Sequence, residues 1–255
     1  MNAGEMNGEW ILETRDLVKQ FNEFVAVNGV SLRVRRGSIH ALIGPNGAGK
    51  TTVFNLLTRF LPVTRGEIRL RGDDITGVRA ADVARRGMVR SFQVSATFPA
   101  LSALENVRVA LQRKLGTSFH FWRSERSLGA LDARAVELLA AVGLEEFKDT
   151  ITGELPYGRK RALELATTLA LDPEVLLLDE PTQGMGHEDV GRVVALIQKV
   201  AEGRTVVMVE HNLSVVQDLA DRVTVLARGQ VLAEGSYDEV SRNPAVLEAY
   251  IGAPA

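Results

Sequence analysis

The chain has 255 residues, 45% hydrophobic and 24% charged, enough to bury a sizeable core in one large α/β domain or in a core with a smaller lobe. Its 30 basic and 32 acidic side chains give a net charge of −2 with no long run of either sign, which argues against a nucleic-acid footprint. Cysteine is absent, Met1 to Trp10 carries Glu5 and Glu9 without an apolar leader core, and no window approaches ~18 uncharged apolar residues. Disulfides and thiolate metal sites are thereby excluded, and the expectation is an unsecreted, soluble chain able to dock on a membrane protein.

In chain order, Trp10 to Lys19 and Val30 to Arg35 read as strands, the second alternating Val30, Leu32 and Val34 with Ser31, Arg33 and Arg35. That alternation predicts a half-exposed antiparallel layer, which Gly66 to Gly72 joins with Ile68 and Leu70 inward. Ser38 to Ile43 is a short strand, and Thr51 to Phe60 carries Val53, Leu56, Leu57 and Phe60 at helical spacing. From Gln93 to Leu155 the chain is mainly helical: Ser102 and Glu105 form a capping box, and a helix over Ala133 to Val142 stops at Gly143. Parallel-sheet patterning returns with strands at Val175 to Leu178 and Thr205 to Val209, flanking a helix with Val190, Val193, Val194 and Ile197 on one face. Arg228-Gly229-Gln230 reads as a hairpin turn, and Asn243-Pro244 as a helix start.

Between the Ser38 strand and the following helix, Gly44, Pro45, Asn46, Gly47, Ala48, Gly49, Lys50 and Thr51 spell a complete G-x-x-x-x-G-K-[ST] phosphate loop. Glycines let successive backbone N–H groups turn toward phosphate oxygens, and the helix N-terminus adds partial positive charge. Lys50 would neutralise phosphate, and the Thr51 hydroxyl suits Mg²⁺. The strand Val175 to Leu178 runs into Asp179 and Glu180, where one carboxylate can face Mg²⁺ and the other can polarise water. The plain alternative is acidic residues ending a buried strand. His211 follows the strand ending at Val209, and Gln93 follows the run Met88 to Phe92. A lone histidine or a loop amide is ordinarily structural, but four strand ends on one sheet edge would gather these groups around a nucleotide.

Taken together, Gly44 to Thr51, Ser91-Phe92-Gln93, Leu155-Pro156-Tyr157-Gly158, Leu177 to Thr182 and Val209-Glu210-His211 resemble the motifs of the ATP-binding subunit of an ABC transporter, over nearly the whole chain. The resemblance implies a P-loop NTPase (RecA-like) α/β fold: a parallel-sheet core with an antiparallel β layer and a helical subdomain. It implies one ABC domain over 1–255, with 1–92 and 166–255 forming the core and layer and 93–165 the helical subdomain. It makes Gly44 to Thr52 the Walker A loop, Gln93 the Q-loop and a metal contact, Asp179 the Walker B aspartate, Glu180 the catalytic glutamate and His211 the switch histidine. Phe21 falls where the family stacks an aromatic on adenine; Phe24 lies nearby, and the plain alternative for either ring is ordinary core. Implied cofactors are ATP and Mg²⁺. Implied partners are membrane-spanning permease subunits, a second ABC ATPase subunit, identical or similar, and indirectly a substrate-binding protein, but no nucleic acid. The implied place is the cytoplasmic side of the membrane.

Two motifs depart from the family pattern. The signature loop, usually Leu-Ser-Gly-Gly-Gln, reads Leu155-Pro156-Tyr157-Gly158-Arg159, so Pro156 removes the serine donor. Backbone N–H groups at Tyr157 and Gly158, a helix starting near Lys160, and Arg159 are the remaining candidates for an anion. Gly186 stands at the D-loop position commonly held by aspartate. The Leu-Pro-Tyr-Gly form, Arg90-Ser91-Phe92-Gln93, and the ending Ala233-Glu234-Gly235 with Glu248-Ala249-Tyr250 resemble the branched-chain amino-acid importer ATPases. Related members serve other amides, such as urea, or lipid export. A soluble ABC ATPase for DNA or translation work is disfavoured by the single phosphate loop and the absence of a heptad segment between Lys50 and Asp179. A sensor without turnover is disfavoured by Glu180 and His211. Val94, Phe98 and Leu101 offer apolar anchors for a permease helix, with closure of the helical lobe's core as the plain alternative. The cluster Phe119, Phe121 and Trp122 has no assigned role.

Overall fold

The computed structural model describes residues 9–91, 97–114 and 131–251. Gln93 and Val94, and the cluster Phe119, Phe121 and Trp122, lie outside them. The main sheet is six-stranded, in the order β11 (Gln230–Gly235), β10 (Arg222–Ala227), β4 (Ile39–Ile43), β9 (Thr205–Val209), β8 (Val175–Asp179), β7 (Met88–Ser91). β10, β4, β9, β8 and β7 run parallel, and β11 closes one edge as an antiparallel hairpin partner of β10. Strands β4, β8 and β9 are buried throughout, as continuous Val, Ile and Leu runs require when both sheet faces are covered.

Their side chains divide strictly by face. Leu42, Leu177, Val207 and Val209 join one cluster with the helix α1 (Lys50–Leu57) and the antiparallel layer. Ala41, Ile43, Leu176, Leu178, Val206 and Met208 join the other, with α3 (Ala103–Lys114), α4 (Asp132–Ala141), α5 (Tyr157–Leu169), α6 (His187–Ala201) and α7 (Leu213–Leu219). The helical lobe and the sheet therefore share one contiguous core. The layer has the order β2 (Phe24–Val30), β1 (Trp10–Phe21), β5 (Arg65–Leu70), β6 (Asp73–Asp74), with β3 (Arg33–Arg35) also on β1. Between β5 and the sheet's edge strand β7 lies the short helix α2 (Ala80–Arg85), and after β11 come α8 (Tyr237–Ser241) and α9 (Pro244–Ile251).

The structure meets most of the expected elements and adds the helix α2, for which the sequence reading has no counterpart. β2 is a strand that lacks a clean alternation in sequence, and Ser31 and Leu32 interrupt the span expected to run from Val30 to Arg35. Phe60 is not on the helix: α1 ends at Leu57, and Phe60 is 53% exposed. Phe21 and Phe24 are both exposed rather than core. The signature helix α5 starts at Tyr157, not near Lys160, because Lys160 N–H already donates to Pro156 O at 3.0 Å. The Ser102–Glu105 capping box forms in both directions, and Asn243 Oδ1 accepts from Ala245 N–H.

Candidate functional site

The register of the parallel strands builds the site. Leu42 on β4 pairs with Val209, and Val209 pairs with Asp179 on β8. Ser91 on β7 pairs with Leu178. The residues just beyond these rungs, Gly44, Glu180, Glu210 and His211, consequently leave the sheet along one C-terminal edge, where open α/β sheets bind ligands. Gln93 is two residues past the end of β7 and lies outside the described residues, so the structure does not place it.

Three glycines shape the loop between β4 and α1, with φ values of 148° at Gly44, 78° at Gly47 and 99° at Gly49. At two of them an added Cβ has no room: it would lie 2.1 Å from Leu226 O at Gly44 and 2.7 Å from Ala26 O at Gly49. Strand β2 and the β10–β11 turn thus press on the loop, and Gly229 N–H donates to Ala48 O at 3.0 Å. Lys50, first residue of α1, is buried, and its Nζ donates to Gly44 O at 2.6 Å and Pro45 O at 3.0 Å. Burial pushes the Lys50 ammonium below its usual value, and the Glu180 carboxylate partly opposes this. Asn46, Gly47 and Thr51 are exposed at the mouth, with Thr52 half-buried. The C-terminal helix also reaches the loop: burial pushes the Tyr250 phenol up, and a backbone hydrogen bond from Gly44 opposes it.

Asp179 is buried and ion-paired to Arg90 Nη2. Arg90, on β7, also donates from Nη1 to Asn55 Oδ1 at 2.6 Å and lies over the Phe54 ring, so it ties α1 to β8. Glu180 is half-buried in a left-handed conformation, φ 46°, which a non-glycine residue adopts only under local constraint. Its N–H donates to Val209 O at 2.9 Å. His211 is exposed beyond β9, and its Nδ1 is 3.9 Å from the carboxylate of Glu210. Glu210 itself is fully buried. Arg90 and Glu210 escaped the sequence reading as site residues: each stands inside a quoted motif, but nothing in residue type or spacing marks a partner on another strand.

The signature segment forms the start of α5. Pro156 occupies the N-cap without a side-chain cap, leaving Tyr157 and Gly158 N–H groups in the first turn. The Tyr157 hydroxyl donates to Gln183 O at 3.2 Å, joining this helix to the loop after β8. Arg159 is exposed, with its guanidinium 3.7 Å from the Phe147 ring centroid. Gly186 caps α6 with no side-chain bond, the direct consequence of glycine where aspartate is common. Phe21 ends β1, 42% exposed, with Lys19 Nζ 4.8 Å from its ring centroid.

These residues fit a nucleotide phosphate on two observations: a loop too close-packed for side chains at Gly44 and Gly49, and a buried ammonium whose present acceptors are the loop's own carbonyls. They fit Mg²⁺ as well. Asp179 at the end of β8 and the exposed Thr51 at the mouth of the loop would supply one carboxylate and one hydroxyl oxygen, the hard donors that this ion takes beside phosphate oxygens.

A family model described as "ABC transporter" matches residues 27–183, and one described as "Branched-chain amino acid ATP-binding cassette transporter" matches residues 230–255. The chain is 40% identical over 252 residues to the high-affinity branched-chain amino acid transport ATP-binding protein BraF of Pseudomonas aeruginosa, covering 95% of this chain and 98% of BraF. It is 37% identical over 254 residues to the LivG protein of Escherichia coli K12, described in the same words, with 95% and 98% covered. Among solved structures, the ADP conformation of MJ1267, an ATP-binding cassette of an ABC transporter, matches with TM-score 0.84 and 30% identity over 95% of this chain and 99% of that one. The dimeric post-hydrolysis state of the cassette MJ0796, bound to ADP and Pi, matches with TM-score 0.74 and 25% identity over 89% and 98%. Loop, strand-edge carboxylates and these likenesses agree: the chain has the P-loop NTPase fold, is an ATP hydrolase, and belongs to the family of ABC transporter ATP-binding subunits, in the branch of the branched-chain amino-acid transport proteins.

Proposed function

We propose that this subunit binds MgATP on the Gly44 to Thr52 loop and hydrolyses it to power the import of branched-chain amino acids, at the cytoplasmic side of the membrane. The observation that carries the reading is the convergence of Lys50, Asp179, Glu180 and His211 at the C-terminal edge of adjacent parallel strands. In this reading the loop N–H groups and Lys50 hold phosphate oxygens, and Thr51 and Asp179, with Gln93, hold Mg²⁺, which supplies charge neutralisation. Glu180 takes the proton of the attacking water, and His211 orients the terminal phosphate. Phe21 stacks the adenine. Tyr157 and Gly158 N–H groups face the nucleotide of a second ATPase subunit across a dimer. Residues 1–92 and 166–255 act as the core and layer of one ABC domain, and 93–165 as its helical subdomain.

The permease docks, in this proposal, in the apolar groove of about 640 Å³ lined by the segment after α1 and by α2, β7, α3 and the end of α5. Phe60, Phe98 and Val109 line it and stay exposed, and Phe98 follows the Gln93 segment by a few residues. Because the chain has no cysteine, a single cysteine at Ala100 should crosslink to a cytoplasmic loop of the permease with a yield that differs between ATP-bound and nucleotide-free complexes. No crosslink in an active complex would refute the docking; a nucleotide-independent one would remove the coupling. The nucleotide site is tested by Lys50→Ala, for which MgATP affinity should fall at least about 100-fold in a folded chain. Near-normal affinity would place ATP elsewhere.

A further inference from the structure

Glu210 carries a carboxylate with no exposure, placed between the two loops that bear Glu180 and His211. All its recorded partners are donors from those loops. Oε1 accepts from Thr182 N–H at 3.1 Å and from Thr182 Oγ1 at 2.5 Å. Oε2 accepts from His211 N–H at 2.9 Å and from Asn212 N–H at 3.1 Å. One oxygen therefore belongs to the loop after β8 and the other to the loop after β9. A buried charge is tolerable when its lone pairs are filled by such bonds, and removing them leaves a large desolvation cost.

We propose that Glu210 is a positioning residue for ATP hydrolysis: its carboxylate clamps the Glu180 loop to the His211 loop and so sets the distance and orientation between those two groups. The inference rests on the roles of Glu180 and His211 proposed above. Glu180 begins its loop at φ 46°, with its N–H on Val209 O at 2.9 Å and its carbonyl accepting from Gln183 N–H at 3.1 Å, so the loop's backbone bonds are short-range apart from the one to β9. Thr182, two residues on, anchors the turn a second time through Glu210. On the other side, the paired N–H bonds fix the backbone from which the exposed His211 ring projects. Exposure gives that ring freedom about its own side-chain bonds, so its reach toward a phosphate depends on the position of its Cα.

Glu210→Gln keeps shape and volume but offers one oxygen. Its amide NH₂ must face one of the two donor pairs: toward His211 and Asn212 two hydrogen bonds are lost, and toward Thr182 the N–H bond is lost while the hydroxyl turns to accept. In the full chain, MgATP affinity should remain within about threefold, because neither loop is the phosphate cradle, while single-turnover hydrolysis should fall about 100-fold, the scale of a misplaced catalytic group. Histidine-selective NMR supplies a readout that general weakening would not move. The chain has four histidines, and His211→Ala identifies the His211 ring signal. In Glu210→Gln that signal should shift while the signal of His40, buried on β4, stays in place.

Thr182→Val, which loses only the hydroxyl bond, should show the same two changes at smaller size, and it serves if Glu210→Gln does not fold. Unchanged turnover, or reduced turnover with an unmoved His211 signal, in a folded variant would overturn the proposal. Glu180→Gln and His211→Ala run in parallel separate the two levels. If they do not slow hydrolysis, the catalytic assignment fails; if they do and the Glu210 and Thr182 variants do not, only the clamp fails.

Discussion

Arg90 is the side chain whose loss has the clearest cost. Its guanidinium pairs with buried Asp179 and Asn55, so Arg90→Met would leave a carboxylate in the core without its counter-ion. Breaking one side of such a pair destabilises by about 3–5 kcal/mol, against little for an exposed pair. Urea unfolding should register that loss, and Asp179→Asn in the Arg90→Met background should recover part of it; an unchanged midpoint would refute the burial argument. Gly44→Ala should fare similarly badly, since its Cβ would meet Leu226 O at 2.1 Å. The difference between these two residues explains what could be read in advance. Gly44, Lys50 and Thr51 announce themselves by local spacing, whereas Arg90 and Glu210 act through strands that only the fold brings beside them.

Strand β4 sets the approach to the phosphate loop and carries a titratable group in its middle. His40 Nε2 is 2.8 Å from Thr224 Oγ1 on β10, and its Nδ1 has no hydrogen-bond partner among the described residues. Burial lowers its pKa from 6.5 to about 4, with Glu234 opposing and Arg222 reinforcing the shift. The folded form therefore binds the proton less tightly than the unfolded chain. Stability from this group is complete above pH 6.5 and is lost as pH falls toward about 4, by on the order of 3 kcal/mol. Denaturation midpoints should fall over that window, and His40→Gln should flatten the slope; an equal slope in both proteins would count against the assignment. Element legibility followed the same physics. Strands buried on both faces and capped helices were plain in sequence. β2 was not, because its pattern of buried Ala26, Val27 and Val30 answers to the loop and the turn packed on it rather than to simple alternation. The early start of α5 was missed because proline at the N-cap resembles the end of a loop.

At the scale of the whole molecule, the antiparallel layer, the main sheet and the helical lobe form two apolar clusters, one on each sheet face, and the nucleotide edge lies where both end. None of the described helices is long and apolar enough to cross a membrane. The groove at Phe60, Phe98 and Val109 is the surface proposed here for a membrane partner. Of the apolar anchors that the sequence offers for this surface, Phe98 is exposed, Leu101 is half-buried and Val94 lies outside the described residues, while Phe60 enters the groove only because α1 ends at Leu57. The proposed hydrolysis depends above all on Glu180 acting at the nucleotide held by Lys50. The direct measurement is MgATP binding and single-turnover hydrolysis by Glu180→Gln in the full chain. Affinity should stay near that of the unsubstituted chain while hydrolysis falls at least about 100-fold, because the amide keeps the carboxylate's shape and loses its basicity. Hydrolysis at the unsubstituted rate would contradict the account.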